Sequence, residues 1–290
     1  MFVNHNTHLE REAMNDQIIA IYCLCDDYIK SLEATGDKWP NEKMSDAEVM
    51  TVLIVASRFF YGNIERARQM LKEMGYMINM LSKSRLNRRI HSISDDIWQN
   101  MLEFSHQYSS YCYTGQDFIV DSFPVSACRN IRISRCRIFR TENFRGYNAS
   151  KKEYFYGVKT TVITNLSGHP LKMIIAPGSE HDLPALKVLD PRCLPKGSVL
   201  YGDAAYVDYE YEDKMLKEEI KIAVERKKNS KRPYELEDYV NLKTHRKTIE
   251  GTFSTITNLM PKKIHAIVAR GFELKIISFV IAAATIFCFN

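Results

Sequence analysis

Three acidic residues stand at positions from which they could carry out chemistry together. Asp121 ends the apolar run FIVD, Asp203 ends the run SVLYGD, and Glu250 follows Arg246 by four residues in a segment with helical spacing. An aspartate at the C-terminal end of a buried strand lies at the sheet edge where α/β proteins place their sites. A spacing of four puts Arg246 and Glu250 on one helix face. Each acid alone is more often a cap or turn residue, but the ordered set favours a site.

Carboxylates arranged in this way are suited to metal-dependent cleavage of phosphodiesters. Mg²⁺ prefers oxygen ligands and keeps several waters, so a few carboxylates suffice. Two ions roughly 3.5–4 Å apart neutralise charge on the phosphorus and activate the attacking hydroxyl. We expect Asp121 to bridge two Mg²⁺ ions, for which Mn²⁺ can substitute, and Asp203 and Glu250 each to complete one side. Arg246 would orient Glu250 or grip a phosphate oxygen; the alternative is a surface ion pair worth about 0.3–0.5 kcal/mol.

Basic residues are concentrated in the same part of the chain. Residues 1–115 carry 12 Lys and Arg against 15 Asp and Glu, a net charge of −3, whereas residues 116–290 carry 28 against 20, a net charge of +8. Basic runs at 129–152, interleaved with aromatic residues, and at 225–233 flank the acids and suit contact with nucleic acid. The usual explanation for one such run is a solvated loop, but two around one acidic centre favour DNA.

The residues of this region that we expect to contact DNA are Arg129, Arg132, Arg135, Arg137, Arg140, Lys151, Lys152, Lys159, Arg226, Lys227, Lys228, Lys231 and Arg232.

The hydrophobic pattern predicts two domains. Residues 1–115 show only helical spacing, including the capping-box pattern Ser45-x-x-Glu48. Within them, a short predicted helix begins with Arg85, Arg88 and Arg89. Exposed arginines at this place suit the recognition helix of a helix-turn-helix element. The alternative is the solvated face of a bundle helix. Residues 116–290 predict three strands, expected to be antiparallel, followed by alternating helices and strands. We therefore expect an α/β domain with a mixed sheet and helices on both faces.

Several classes of protein are disfavoured. Seven cysteines without a C-x-x-C pair indicate reduced thiols in a cytosolic protein rather than a zinc site. The polar N-terminus is not a signal peptide. The apolar run at 276–289 has 14 residues, is short for a membrane span and predicts a core helix. The chain contains no G-x-x-x-x-G-K-[ST] loop, so an ATPase has no support, and a glycosidase fits the basic surroundings poorly.

Taken together, the motifs resemble those of DDE-class transposases of bacterial insertion sequences, most closely the insertion-sequence 982 family. The resemblance covers nearly the whole chain. It rests on IVDSFP at 119–124, YGVK at 156–159, YGDAAY at 201–206, Arg246-x-x-x-Glu250 with Phe253, and S-x-S-x-x-NRR at 82–89. Each motif alone is weak, but the ordered set is specific.

This resemblance implies a ribonuclease H-like catalytic core with two divalent metal ions. It also implies cut-and-paste movement of an element with terminal inverted repeats. The partners would be double-stranded DNA, as those repeats and as the target, and a second copy in a homodimer, with no membrane. The location would be the bacterial cytoplasm, in association with the nucleoid.

Three positions depart from the wider family. Ala205 replaces the usual glycine, and Lys243 and Thr257 replace a tyrosine and a lysine that related groups carry. These departures affect how the protein would hold the terminal DNA strand of the element. Lys262 and Lys263 are the candidates to replace the missing lysine. The three carboxylates are unchanged. The alternative functions are an inactive or domesticated DNA-binding derivative and a ribonuclease H-like nuclease of another pathway. The intact carboxylates argue against the first, and the long helical region argues against the second.

Overall fold

The structure, a computed structural model, describes residues 3–33, 43–107, 115–149, 151–227, 229–233 and 235–289, without the side chains of residues 3–11, 33 and 107. It divides into two compact units. The first, which we call the helical unit, comprises Met1–Tyr111, Leu259–Pro261 and Lys275–Asn290. The second, which we call the sheet unit, comprises Cys112–Asn258 and Lys262–Leu274.

The N-terminal part of the helical unit is built from helices, as the spacing predicts. They are α1 Val3–Glu33, α2 Asp46–Phe59, α3 Ile64–Glu73, α4 Lys83–Ser92 and α5 Asp95–Gln107. The predicted capping box starts α2: the Glu48 N–H donates to Ser45 Oγ at 3.2 Å, and the Ser45 N–H donates to Glu48 Oε2 at 2.8 Å. Its apolar residues from Val49 to Ala56 are buried, so α2 forms the centre of this unit.

The C-terminal helix is α9, Ala269–Phe289, and its residues from Lys275 onward belong to the helical unit and add to its core. Its hydroxyl at Ser278 makes a buried 2.7 Å hydrogen bond with Ser57. The compact units therefore differ from the expected division into 1–115 and 116–290, because a helix that is apolar on every side needs partners all around it. By length and composition α9 could cross a membrane, but 72% of its most apolar stretch is buried inside the protein, as in a core helix.

The sheet unit contains a mixed six-stranded sheet, which confirms the predicted fold class. Its strands are β1 Asp117–Cys128, β2 Arg145–Asn148, β3 Glu153–Asn165, β4 Pro170–Pro177, β5 Val199–Gly202 and β6 Lys221–Val224. The order is β2-β3-β1-β5-β6, and β4 also pairs with β3. Strands β1, β3 and β4 are antiparallel neighbours, whereas β5 and β6 run parallel to β1. This is the ribonuclease H-like arrangement.

Helices cover both faces of the sheet because successive residues of β1 point to opposite sides. Phe118 and Val120 belong to the core beneath α6, Asp182–Leu189, and α7, Tyr209–Lys217. Ile119 belongs to the core beneath α8, Leu236–Leu259. The basic segment between β1 and β3 holds β2 and two short 3₁₀ helices, Asn130–Arg135 and Glu142–Phe144, none of which the sequence pattern predicted.

Candidate active site

Asp121 lies in the middle of β1 rather than at its end. The prediction of a strand ending at Asp121 was wrong, because β1 continues to Cys128 with Phe123, Val125 and Ala127 as its buried residues. The parallel pairing of β1 with β5 nevertheless stops at Ile119 opposite Tyr201. Beyond that point β1 is paired with β3, where Asp121 lies opposite Val162. The carboxyl of Asp121 therefore stands at the edge that the end of β5 creates.

Asp203 follows β5 directly, as predicted, and occupies the same edge. Its carboxylate accepts a 2.8 Å hydrogen bond from the Ala205 N–H and so caps the short 3₁₀ turn Ala204–Tyr206. Asp121 and Asp203 each lie two residues beyond the last β1–β5 pair, Ile119 with Tyr201, and they are close enough for the charge of Asp203 to raise the pKa of Asp121.

A third acid at this edge, Glu225, was missed from the sequence. It follows β6 directly, and its N–H donates to the Gly202 carbonyl at 3.1 Å. The sequence does contain a pattern that predicts it, because IAVE at 222–225 is an apolar run followed by an acid, like the runs that precede Asp121 and Asp203.

Helix α8 lies along the face to which Asp121 points. Ile119 and Tyr201 pack against Ile249 of α8, and the Phe123 ring lies 4.8 Å from the Phe253 ring, centroid to centroid. Asp121, between Ile119 and Phe123 on the same strand face, is therefore level with the part of α8 that carries Glu250.

Arg246 and Glu250 form an exposed ion pair on α8. Arg246 Nε lies 3.4 Å from Glu250 Oε1, with the side chains 46% and 62% exposed, and Arg246 Nη1 lies 4.0 Å from Glu225 Oε2. The structure thus places Arg246 beside the acidic edge and holds Glu250 against Arg246. Within the described part of the chain, no three His, Cys, Asp or Glu side chains are close enough together to hold a metal ion between them.

The two aspartates of the acidic edge are buried and have other acids near them. Burial raises the pKa of Asp121 to about 6; Asp203 and Asp182 also raise it, while the Ser122 N–H, 2.7 Å from Asp121 Oδ1, and Arg246 act in the opposite direction. Burial likewise raises the pKa of Asp203, helped by Asp182. Crowded carboxylates of this kind favour a cation, and their oxygens are the ligands that Mg²⁺ prefers. The oxygens of Asp121 and Asp203 are therefore of the chemical type that suits a divalent ion, and a third carboxylate is not gathered with them among the described residues.

A second charged group, the ion pair of Lys159 with Asp182, lies on the opposite face of the sheet. Ser122, the residue after Asp121, contacts it. The Ser122 hydroxyl donates to Asp182 Oδ1 at 2.7 Å, and Lys159 Nζ lies 3.3 Å from the same oxygen. Lys159 Nζ also donates to the Glu180 carbonyl at 2.9 Å. Lys159, which we expected to contact DNA, is thus held within the protein, with its side chain 20% exposed.

The first basic segment displays its arginines to solvent. All six are exposed, and Arg145 pairs with Glu142 at 2.8 Å. Among the described residues, no ion pair involves the other five, which are Arg129, Arg132, Arg135, Arg137 and Arg140. Lys151 and Lys152 are exposed as well. Arg129 and Arg132 line a cavity of about 620 Å³ with Lys262 and Lys263.

In the second basic segment the arginines are paired within the sheet unit. Arg226 Nη2 lies 2.6 Å from Glu212 Oε2, and Arg232 Nη2 lies 2.6 Å from Asp213 Oδ2, both acids on α7. The lysines Lys227 and Lys231 are exposed and line a cavity of about 700 Å³ that also includes Ala204, directly after Asp203. Lys228 lies outside the described residues.

The arginines of α4 also differ from one another. Arg85 and Arg88 are exposed, whereas Arg89 Nη2 lies 3.0 Å from Asp46 Oδ1 and donates to the Met44 carbonyl at 3.3 Å. All three line a groove of about 510 Å³. Arg85 and Arg88 are therefore accessible to a ligand, and Arg89 contributes to the packing of α4 against the start of α2.

Comparison with known proteins identifies the family of this chain. Residues 113–284 match the family model described as a transposase DDE domain. A cryo-EM structure of the piggyBac transposase synaptic complex with hairpin DNA is similar at a TM-score of 0.48 and 11% identity, covering 93% of this chain and 72% of that chain. No curated protein sequence matches the chain. Because the family model spans more than half of its length, the protein belongs to the transposase DDE domain family.

Proposed function

We propose that the protein is the transposase of a bacterial insertion sequence of the 982 type, catalysing metal-dependent cleavage and strand transfer at the ends of its element. The observation that carries this proposal is the acidic edge, where Asp121 and Asp203 crowd negative charge close to Arg246. Family membership supplies the reaction class. The edge supplies the carboxylates that such chemistry requires.

In this proposal Asp121, Asp203 and Glu250 hold two Mg²⁺ ions, which Mn²⁺ can replace. Metal bound there would neutralise charge on the phosphate and lower the pKa of the attacking hydroxyl. Glu250 joins the two aspartates by leaving its 3.4 Å contact with Arg246. That step costs little, because an exposed pair of this kind contributes only about 0.3–0.5 kcal/mol. The guanidinium that is released can then take a phosphate oxygen in a bidentate grip.

The DNA would be held by the exposed basic side chains. The arginines at 129–140 have no ion pair among the described residues, and Lys227 and Lys231 line the cavity next to Ala204. Arg85 and Arg88 of α4 are available for a second contact with the terminal inverted repeats. Because the two ends of an element must be brought together, we propose a homodimer acting on DNA in the bacterial cytoplasm, close to the nucleoid.

A catalytically inactive, DNA-binding derivative is the second candidate. One observation favours it: Glu250 pairs with Arg246, and the described residues do not gather three carboxylates into one metal-binding cluster. In both candidates the protein binds the ends of its element. The two differ in whether DNA is cut when a divalent ion is added.

A cleavage assay separates the two candidates. The protein is incubated with duplex DNA carrying the terminal repeats that flank its gene, with Mg²⁺ or Mn²⁺. We expect cleavage by the wild type and by the control Asp213→Asn, whose carboxylate is 55% exposed on α7. Asp121→Asn and Asp203→Asn should bind the same DNA and leave it uncut. Wild-type protein that binds the ends but cuts with neither ion would establish the inactive derivative.

A further inference from the structure

The ion pair between Lys159 and Asp182 lies behind the acidic edge, on the other face of the sheet. Asp121 points toward α8, so the next residue, Ser122, points toward α6. There the Ser122 hydroxyl donates to Asp182 Oδ1 at 2.7 Å. Because Asp182 is the first residue of α6, its carboxylate is also favoured by the positive end of the helix dipole.

Ser122 connects this ion pair to Asp121 directly. Its backbone N–H donates to Asp121 Oδ1 at 2.7 Å, and its side chain donates to Asp182. One residue therefore bonds both acids, one on each side of the sheet. Any shift of Ser122 along β1 or about its own backbone would move the hydrogen bond that orients the Asp121 carboxyl.

Lys159 and the start of α6 hold Asp182 in place. Lys159 lies on β3 opposite Pro124, two residues beyond Ser122. Its ammonium contacts Asp182 Oδ1 at 3.3 Å and donates to the Glu180 carbonyl at 2.9 Å. The two side chains are 20% and 18% exposed, so water competes only weakly for these contacts. Lys159 also neutralises part of the charge that Asp182 would otherwise add to the acidic edge.

We propose that Lys159 and Asp182 are positioning residues that orient the Asp121 carboxyl through Ser122. This inference rests on the proposed function, since it assigns Asp121 to a metal site. Partners of metal-binding side chains fix their orientation, and loss of such a partner typically lowers metal affinity by about 10–100-fold. The proposal therefore predicts an effect on metal binding that does not depend on DNA cleavage.

The test measures Mn²⁺ affinity by the electron paramagnetic resonance of free Mn²⁺, with thermal unfolding as the check on folding. The variants are Ser122→Ala, which removes one hydroxyl, and Lys159→Met with Asp182→Asn, which leaves no charge unpaired. The matched control is Lys187→Met on α6, because Lys187 pairs with Asp208 at 2.6 Å on the surface. We expect Mn²⁺ affinity to fall about tenfold or more in both test variants, to stay within twofold in the control, and to recover in Ser122→Thr.

Asp121→Ala distinguishes the inference from the proposed function on which it rests. If Asp121→Ala abolishes Mn²⁺ binding while Ser122→Ala and the double variant bind as the wild type does, the positioning role is overturned and the metal site stands. If Asp121→Ala itself leaves Mn²⁺ affinity unchanged, both the metal site and the positioning role are overturned. A loss of affinity of equal size in Lys187→Met would also overturn the role, because any ion pair on α6 would then have the same effect.

Discussion

Two charged regions of the sheet unit differ in whether their charged side chains are balanced by partners within the protein. At α7, each arginine of the second basic segment has an acid: Arg226 with Glu212, and Arg232 with Asp213. At the acidic edge, burial and neighbouring acids raise the pKa values of Asp121 and Asp203, against the opposing charge of Arg246. The acids and arginines of the α7 cluster are paired with one another, whereas the aspartates of the acidic edge are held in surroundings that disfavour their charged forms, mainly because they are buried.

This difference distinguishes charged side chains that are paired with each other in the fold from charged side chains that we propose to bind metal or DNA. The sequence makes the two basic segments look alike, but their arginines differ: those at 226 and 232 anchor their loop to α7, and those at 129–140 are exposed without an ion pair among the described residues. We therefore expect mutations in the α7 cluster to change stability. Mutations at 129–140 should instead change DNA binding. Mutations at the acidic edge should change metal binding and catalysis, and they should also relieve the cost of burying the charged Asp121 carboxylate.

The largest expected effect is at Glu212, whose side chain is 7% exposed and accepts hydrogen bonds from Nη1 and Nη2 of Arg226 at 2.7 and 2.6 Å. Glu212→Ala leaves a mostly buried guanidinium without its partner, which costs about 3–5 kcal/mol of unfolding free energy. The control Asp213→Ala removes an exposed partner of Arg232 and should cost less than about 1 kcal/mol. Urea unfolding measures both; equal losses would contradict the distinction between a satisfied core pair and a surface pair.

The second largest effect is an increase in the free energy of unfolding, and we expect it for a mutation at the acidic edge. Burial raises the pKa of Asp121 from 3.8 to about 6 in the folded protein, so the fold loses stability as the pH rises from about 4 to about 6, and the loss is complete above that range. One pKa unit corresponds to about 1.4 kcal/mol, so Asp121→Asn should raise the free energy of unfolding at pH 7 by about 2–3 kcal/mol. The gain should shrink as pH falls from 6 to 4, because the wild-type carboxyl becomes protonated.

Unfolding of Asp121→Asn is followed in urea with a chelator present, so that metal binding does not contribute. Glu250→Gln is the control, since its carboxylate is 62% exposed and its replacement should change stability by less than about 0.5 kcal/mol. A destabilised Asp121→Asn at pH 7 would show that the acidic edge is satisfied within the fold after all.

The smallest effect concerns the exposed arginines. Replacing Arg132 and Arg135 by glutamine should lower the slope of log affinity against log salt by about 1.8, since each phosphate contact contributes about 0.9. Arg192→Gln is the control, because Arg192 is already paired with Asp190 at 2.5 Å. Fluorescence anisotropy across a salt series measures the slope. An unchanged slope in the Arg132 and Arg135 variant would make the first basic segment a solvated loop.

The sequence predicted the parts of this structure that follow from local pattern. The capping box of α2, the strand before Asp203 and the helix with Arg246 and Glu250 each depend on residues close together in the chain. The length of β1 was missed because Pro124 and Ser126 interrupt its apolar run. They are exposed and alternate with buried Phe123 and Val125, so the two-residue period continued where the apolar run did not.

Features that depend on tertiary contacts could not be predicted in the same way. Nothing in the sequence around Arg226 shows that Glu212, 14 residues earlier, is its partner. The same holds for Lys159 and Asp182, which are 23 residues apart and meet because β3 and α6 pack together. Basic residues were therefore assigned to DNA binding from their number and position in the sequence. In the structure several of them are paired with acidic side chains instead.

The central claim is that Asp121 and Asp203 hold a divalent ion with Glu250 joining them. A crystal structure of the protein with Mn²⁺ and DNA carrying one element end, with anomalous scattering to locate the metal, tests it most directly. We predict an anomalous peak about 2.0–2.2 Å from carboxylate oxygens of Asp121 and Asp203, with Glu250 turned away from Arg246 to reach it. Mn²⁺ bound only at other residues, or no peak at the acidic edge at saturating Mn²⁺, would contradict the claim.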